Sequence, residues 1–109
     1  MLRIFIQEPD PSVRQLLELE VEHLGYEVAD EAGPFDIALI EPADPEGYLL
    51  AERLHTQQPQ IPIVFVSVRS RNAEFAVLRP HAHLLKPFSL RVLGNALAGA
   101  AEMIPPRTR

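Results

Sequence analysis

The sequence predicts an α/β domain built on a parallel sheet, and three observations carry that prediction. Short apolar runs recur five times along the chain. Amphipathic stretches with apolar residues at three- and four-residue spacing lie between several of them. Helix-start and helix-stop residues bracket those stretches: Asp10 with Pro11, Gly25, and Ser89. Strands that alternate with helices bury both faces of a parallel sheet.

Taken in order, "LRIFI" (2–6) is a short apolar run between polar residues and reads as a strand buried on both faces. Asp10 supplies an N-cap acceptor, and the fixed φ of Pro11 suits the first helical turn. The helix that follows carries the stripe Val13, Leu16, Leu17, Val21, Leu24 and closes at Gly25. "YEVAD" (26–30) and "DIALI" (36–40) read as the second and third strands. "GYLLAERLH" (47–55) reads as a helix with Leu49, Leu50 and Leu54 turned inward, "IPIVFVSV" (61–68) as the fourth strand and "HLL" (83–85) as a short fifth. From Ser89, "LRVLGNALAGAAEM" makes the last helix, with Leu90, Leu93, Leu97 and Ala101 as its core stripe.

Two connections are short. Only "ADEAGPF" (29–35) separates the second strand from the third, whereas a helical crossover needs at least about a dozen residues. Extended, that segment spans at most about 25 Å, enough to cross the sheet without a helix. "RSRNAEFAVLRPHA" (69–82) leaves room for a short helix only.

Composition bounds the function. A chain of 109 residues with 47% apolar content is one globular domain, 1–103, with 104–109 as a tail or the start of a linker. No apolar run approaches a membrane span, and the N-terminus turns acidic too early for a signal or transit peptide. The absence of cysteine excludes disulfides, thiol catalysis and Cys-ligated metals, and a cytoplasmic location is expected. The net charge of −5 is unevenly spread: residues 1–52 hold thirteen acids against two basic residues, and 53–109 hold eight basic residues against two acids. A basic footprint at one end argues against direct nucleic-acid binding and for protein contacts.

In a parallel α/β sheet, functional groups collect at the carboxyl ends of the strands. There the sequence places Glu8 and Asp10 after the first strand, Glu41 after the third, Ser67 near the end of the fourth, and Lys86 with Pro87 after the fifth. Each has a plainer reading. Glu41 and Lys86 can be solvated strand-end charges, and Ser67 can satisfy a backbone group. His81 and His83 share the spacing of a strand face, but no further metal ligand lies near them in sequence. His23 and His55 read as helix-surface residues.

The order acid cluster, acid, hydroxyl, Lys-Pro resembles the receiver domain of bacterial two-component response regulators over about residues 2–103. The opening "IFIQEPDPSVRQLLELEVEHLGYEV", the strand "FDIALIE", the strand "IPIVFVS" and, most specifically, "LLKPFSL" carry the resemblance. It implies a doubly wound five-stranded sheet of flavodoxin-like order 2-1-3-4-5, with the second helix missing or reduced and the fourth short. It also implies a phosphoacceptor pocket in which acids hold Mg²⁺ while a lysine and a hydroxyl take phosphoryl oxygens. Glu8 matches the first metal-binding acid, Pro9 falls where the second stands, and Asp10 comes one position late. Glu41 occupies the acceptor position with one methylene too many, which moves the nucleophile on the order of 1 Å out of line. His83 stands at the aromatic switch position, and the loop after Glu41 is about two residues short by comparison with the family.

The expectation is therefore a receiver without aspartyl phosphorylation, with weak or no Mg²⁺ binding and no enzymatic activity, whose Glu41 imitates the phosphorylated state by engaging Ser67 and Lys86. Such a domain acts as a protein-interaction or dimerisation module in signalling. The alternative is an active receiver using Asp44 or Asp10 as acceptor. A phosphatase-like enzyme on the same plan ranks last, for want of a Gly-rich phosphate loop and a nucleophile–base pair. Small residues on the last helix, Val92, Ala96, Gly99 and Ala100, mark a candidate homodimer face, since glycine is unfavourable in a helix interior unless close packing needs it.

Overall fold

The computed structural model describes residues 1–30 and 32–105. These form β1 (Arg3–Gln7), α1 (Pro11–His23), β2 (Glu27–Val28), β3 (Ile37–Ile40), α2 (Pro45–Gln57), β4 (Ile63–Ser67), α3 (Ala73–Ala76), β5 (Ala82–Leu85) and α4 (Leu90–Glu102). All five strands are parallel, in the order β2-β1-β3-β4-β5. This is the doubly wound arrangement expected from the sequence.

Strand alternation divides the core between the two faces of the sheet. Ile37 and Leu39 of β3, with Val64 and Val66 of β4, join Leu17 and Val21 of α1 and Leu93, Leu97 and Ala100 of α4 in one cluster. Ala38, Ile40, Ile63 and Phe65 point the other way, to Ala51 and Leu54 of α2 and to Phe75 and Leu78 at and just beyond α3. Burying each large aliphatic or aromatic side chain contributes about 1.5–3 kcal/mol. Continuous apolar strands are needed because both faces are covered.

Caps mark where the helices begin. Asp10 accepts from the amides of Ser12 and Val13, Asp44 from Gly47, Asn72 from Phe75 and Ser89 from Val92. Such caps contribute about 1 kcal/mol each. Gly25, at φ +94°, takes the left-handed turn that ends α1.

Between β2 and β3 the described residues contain no helix. The aromatic ring of Phe35 covers Phe5 instead, with ring centroids 5.2 Å apart. Arg3 pins the segment, its amide donating to the Asp36 carboxylate at 2.8 Å and its side chain to the Pro34 carbonyl at 3.1 Å. The segment 69–81 likewise carries only the four-residue α3. Its return ends at Arg79, a non-glycine residue at φ +51°, in a conformation that costs about 1–2 kcal/mol.

The inner faces of three helices differ from the expectation. Leu16 of α1 is 55% exposed and Leu49 of α2 is 62% exposed. In α2 the buried positions are Gly47, Ala51 and Leu54, because the helix approaches the end of β3 closely. A Cβ on Gly47 would stand 2.1 Å from the Glu41 carbonyl oxygen. In α4 the buried set is Leu93, Leu97 and Ala100, with Leu90 at the surface. Ile104, beyond α4, still packs against the core, and 106–109 lie outside the described residues.

Candidate functional site

Register sets the site. Gln7 pairs with Ile40, Ile40 with Phe65, and Ser67 with Leu85, so the carboxyl ends of β1, β3, β4 and β5 lie along one edge. The residues that follow three of these strands, Glu8, Glu41 and Lys86, meet there with Ser67. The Glu41 amide donates to the Gln7 carbonyl at 3.1 Å, and the Lys86 amide to the Ser67 carbonyl at 2.8 Å, extending the sheet into the site. The Lys86–Pro87 peptide bond is cis.

Glu41, only 4% exposed, is the hub. Its Oε1 accepts from Ser67 Oγ at 2.7 Å and from the Ala43 amide at 2.9 Å. Its Oε2 accepts from Lys86 Nζ at 3.0 Å and from the Val68 amide at 3.2 Å. Lys86 Nζ also donates to Glu8 Oε1, while Glu8 Oε2 accepts from the Asp10 amide at 3.2 Å. Ser67 has a second role, accepting from the Arg69 amide at 3.1 Å, so the backbone reading and the pocket reading of this serine both hold.

Burial alone would push the Glu41 carboxyl up, but the hydrogen bonds from Ser67, Ala43 and Lys86, with the lysine's charge, outweigh it and hold the group below 4.5. Burial alone would push Lys86 down; its bonds to Glu8 and Glu41, with their charges, raise it above 10.5. Stability follows from both shifts. The Glu41 contribution is complete above 4.5 and is lost as the pH falls through the lower folded value. The Lys86 contribution is complete below 10.5 and is lost as the pH rises through the higher folded value. Urea unfolding across this range is expected to show a plateau between the two limits. Glu41→Gln should shrink the loss below pH 4.5; an acid limb unchanged by that substitution would assign the limb to other carboxylates.

Asp10 does not join the cluster. It is exposed, and its carboxylate caps α1. Asp44 caps α2 and accepts from Gln7 Nε2 at 2.7 Å. A Mg²⁺ ion takes about six oxygen ligands in octahedral array. Both oxygens of Glu41 and both of Glu8 already accept hydrogen bonds, Pro9 has no side-chain oxygen, and the Asp10 carboxylate faces its own helix.

Gln7 and Gly47 are the participants the sequence reading missed. Gln7 Oε1 accepts from the Glu41 amide at 3.2 Å while its Nε2 holds Asp44, tying β3 to the start of α2. A glycine two residues after Pro45, the first residue of α2, was the available signal for Gly47.

His83 packs edge-on to Phe65, with ring centroids 5.9 Å apart, and its Nε2 lies 2.8 Å from the Arg69 carbonyl. The candidate dimer face is corrected. Ala100 is fully buried in the core, and Ala96 is half-buried against it. Gly99 faces the His81 ring of the same chain, which accounts for that glycine without a partner. Only Val92, 42% exposed, is left open at the surface.

No protein-family model matches the chain, and no curated protein is significantly similar to it. Solved structures do match. A putative pilus assembly-related protein from Burkholderia pseudomallei is 23% identical with a TM-score of 0.81, over 99% of this chain and 95% of that one. The receiver domain of a sensor histidine kinase from Pseudomonas aeruginosa, solved with magnesium in its active-site cleft, is 20% identical with a TM-score of 0.80, over 93% and 98%. The response regulator TrrA from Thermotoga maritima is 19% identical with a TM-score of 0.80, over 95% and 100%. The architecture is thus of the doubly wound α/β class with an acid–lysine cluster at the carboxyl edge. More narrowly, it is the receiver fold of two-component response regulators.

Proposed function

We propose that this receiver-fold domain works in signal transduction without aspartyl phosphorylation, as a protein-interaction module held in one state. The observation that carries this reading is that the Glu41 carboxylate itself takes the hydrogen bonds of Ser67 and Lys86, the two groups that would otherwise meet an incoming phosphoryl group. On this reading the hydrogen bonds within the cluster take the place of a metal and a phosphate, and the domain works without magnesium and without catalysis. Asp44 and Asp10 make poor substitute acceptors, because both carboxylates serve as helix caps. The partner is a cytoplasmic signalling or output protein rather than nucleic acid or membrane. No helix of the described residues is long and apolar enough to cross a membrane.

The test is incubation with Mg²⁺ and acetyl phosphate, and separately with fluoroberyllate. Neither an acid-labile mass gain nor saturable binding is expected. Either result would overturn the reading, and the position of the modified residue would name the acceptor.

A further inference from the structure

A cleft of about 350 Å³ opens between α3 and the start of β5, and it shares no residue with the Glu41 cluster. Its polar walls are Arg71, Asn72, Arg79, His81 and His83, and among the described residues no carboxylate lines it. Neither the Arg71 nor the Arg79 guanidinium has an ion-pair or hydrogen-bond partner among the described residues. Asn72 is already committed to capping α3, and His83 Nε2 to the Arg69 carbonyl. The free polar groups are therefore Arg71, Arg79 and His81, all basic.

Two locally unfavourable choices involve residues of this cleft, one in its wall and one, in α4 outside it, packed against His81. Arg79 holds φ +51°, a conformation that suits glycine or asparagine better than arginine. Gly99 sits inside α4, where alanine would be a better helix former, yet a Cβ there would stand 2.8 Å from His81 Nε2. The glycine thus leaves the room that the imidazole occupies. A strained arginine in the wall of a cavity is economically explained by a functional constraint, and Gly99 fixes the place of the neighbouring His81.

We propose that this cleft binds a phosphoryl oxyanion, with Arg71 and Arg79 as forked donors and His81 as a third contact. Two guanidiniums match the geometry of a phosphate better than any neutral donor set. The cavity lies at the small end of ligand sites, large enough for a pyrophosphate or a phosphorylated side chain. These residues stand apart from Glu41 and Lys86, so failure here leaves the phosphorylation-independent reading intact.

The test is calorimetric titration of the whole chain at about 0.15 M salt, where loose ion attraction is screened. One arm uses pyrophosphate, the other a phosphoserine peptide beside its unphosphorylated form. Saturable binding is expected in at least one arm, and the tighter arm identifies the source of the phosphoryl group. Arg71→Ala and Arg79→Gly should each weaken it by about 10-fold or more. Arg79→Gly is the decisive variant, since glycine accepts φ +51° freely: the melting temperature should hold or rise while the affinity falls. Gly99→Ala should also weaken binding by displacing His81. No saturation in either arm, equal binding of the unphosphorylated peptide, or affinity unchanged in Arg79→Gly would each overturn the proposal.

Discussion

Lys86→Met is expected to lower the unfolding free energy by about 4 kcal/mol at pH 7, the scale on which removing one partner from a buried ion pair destabilises a protein. The side chains of Glu8 and Glu41 are 2% and 5% exposed, and the Lys86 ammonium is the cation they share. Without it, two carboxylates face each other with little solvent between them. One must then take a proton, so its carboxyl is raised in the folded variant. The sign follows: the variant's penalty is largest above that raised value and shrinks as the pH falls through it. Urea unfolding at pH 7 and at about pH 5 should therefore show the gap to the wild type narrowing at the lower pH. Glu41→Gln should cost less, about 2 kcal/mol, because Lys86 keeps Glu8 and the amide can still meet some of the donors. A Lys86→Met penalty under about 1 kcal/mol, or one independent of pH, would show the cluster to be well solvated and the pairing decorative.

The fold class and the centre of the site were legible from strand patterning, and the strand order from the resemblance carried by motifs such as "LLKPFSL". Apolar strands of four or five residues with caps between them leave little freedom in a parallel sheet, and the residues just after such strands have nowhere to go but its carboxyl edge. Glu8, Glu41, Ser67 and Lys86 met there as expected. What the sequence concealed lies in helix phase and in competition for side chains. In α4 both Leu93–Leu97–Ala100 and Leu93–Leu97–Ala101 are consistent with a helical stripe, and alanine suits either environment, so periodicity cannot choose between them. In α2 the three leucines drew the inner face toward themselves. The close approach permitted by Gly47 turned the helix instead, leaving Leu49 outside. Asp10 had two possible uses, metal ligand or helix cap, and the adjacent amides of Ser12 and Val13 claimed it. Gly99 was read as a sign of an external partner, yet the group that needs its space is His81, contributed from the start of β5.

If the domain works without aspartyl phosphorylation as proposed, conferring phosphoryl acceptance should require two changes together. Glu41→Asp shortens the side chain by one methylene and brings the carboxylate back to the length of an in-line nucleophile, while freeing room near Ser67 and Lys86. Alone it should yield no acid-labile mass gain from acetyl phosphate and Mg²⁺. Attack of the carboxylate on phosphorus, with acetate leaving, builds charge on the phosphoryl oxygens, and Pro9 offers no oxygen to a metal that would neutralise it. Pro9→Asp alone should also fail, because Glu41 still fills the pocket with its own carboxylate. The double variant Pro9→Asp with Glu41→Asp places a second carboxylate beside Glu8, where a metal could use it, and supplies a nucleophile of the right reach. It is the one expected to gain a phosphoryl group, at a rate at least about 10²-fold above either single change, the scale set by a misplacement on the order of 1 Å. Intact-mass spectrometry before and after mild acid treatment reads the result directly. If Glu41→Asp alone is phosphorylated, the proline is not the obstacle and Asp10 or a backbone carbonyl must hold the metal. If the double variant also fails, the shortened loop after Glu41 and the caps formed by Asp10 and Asp44 have fixed the pocket in a shape that no longer admits the donor.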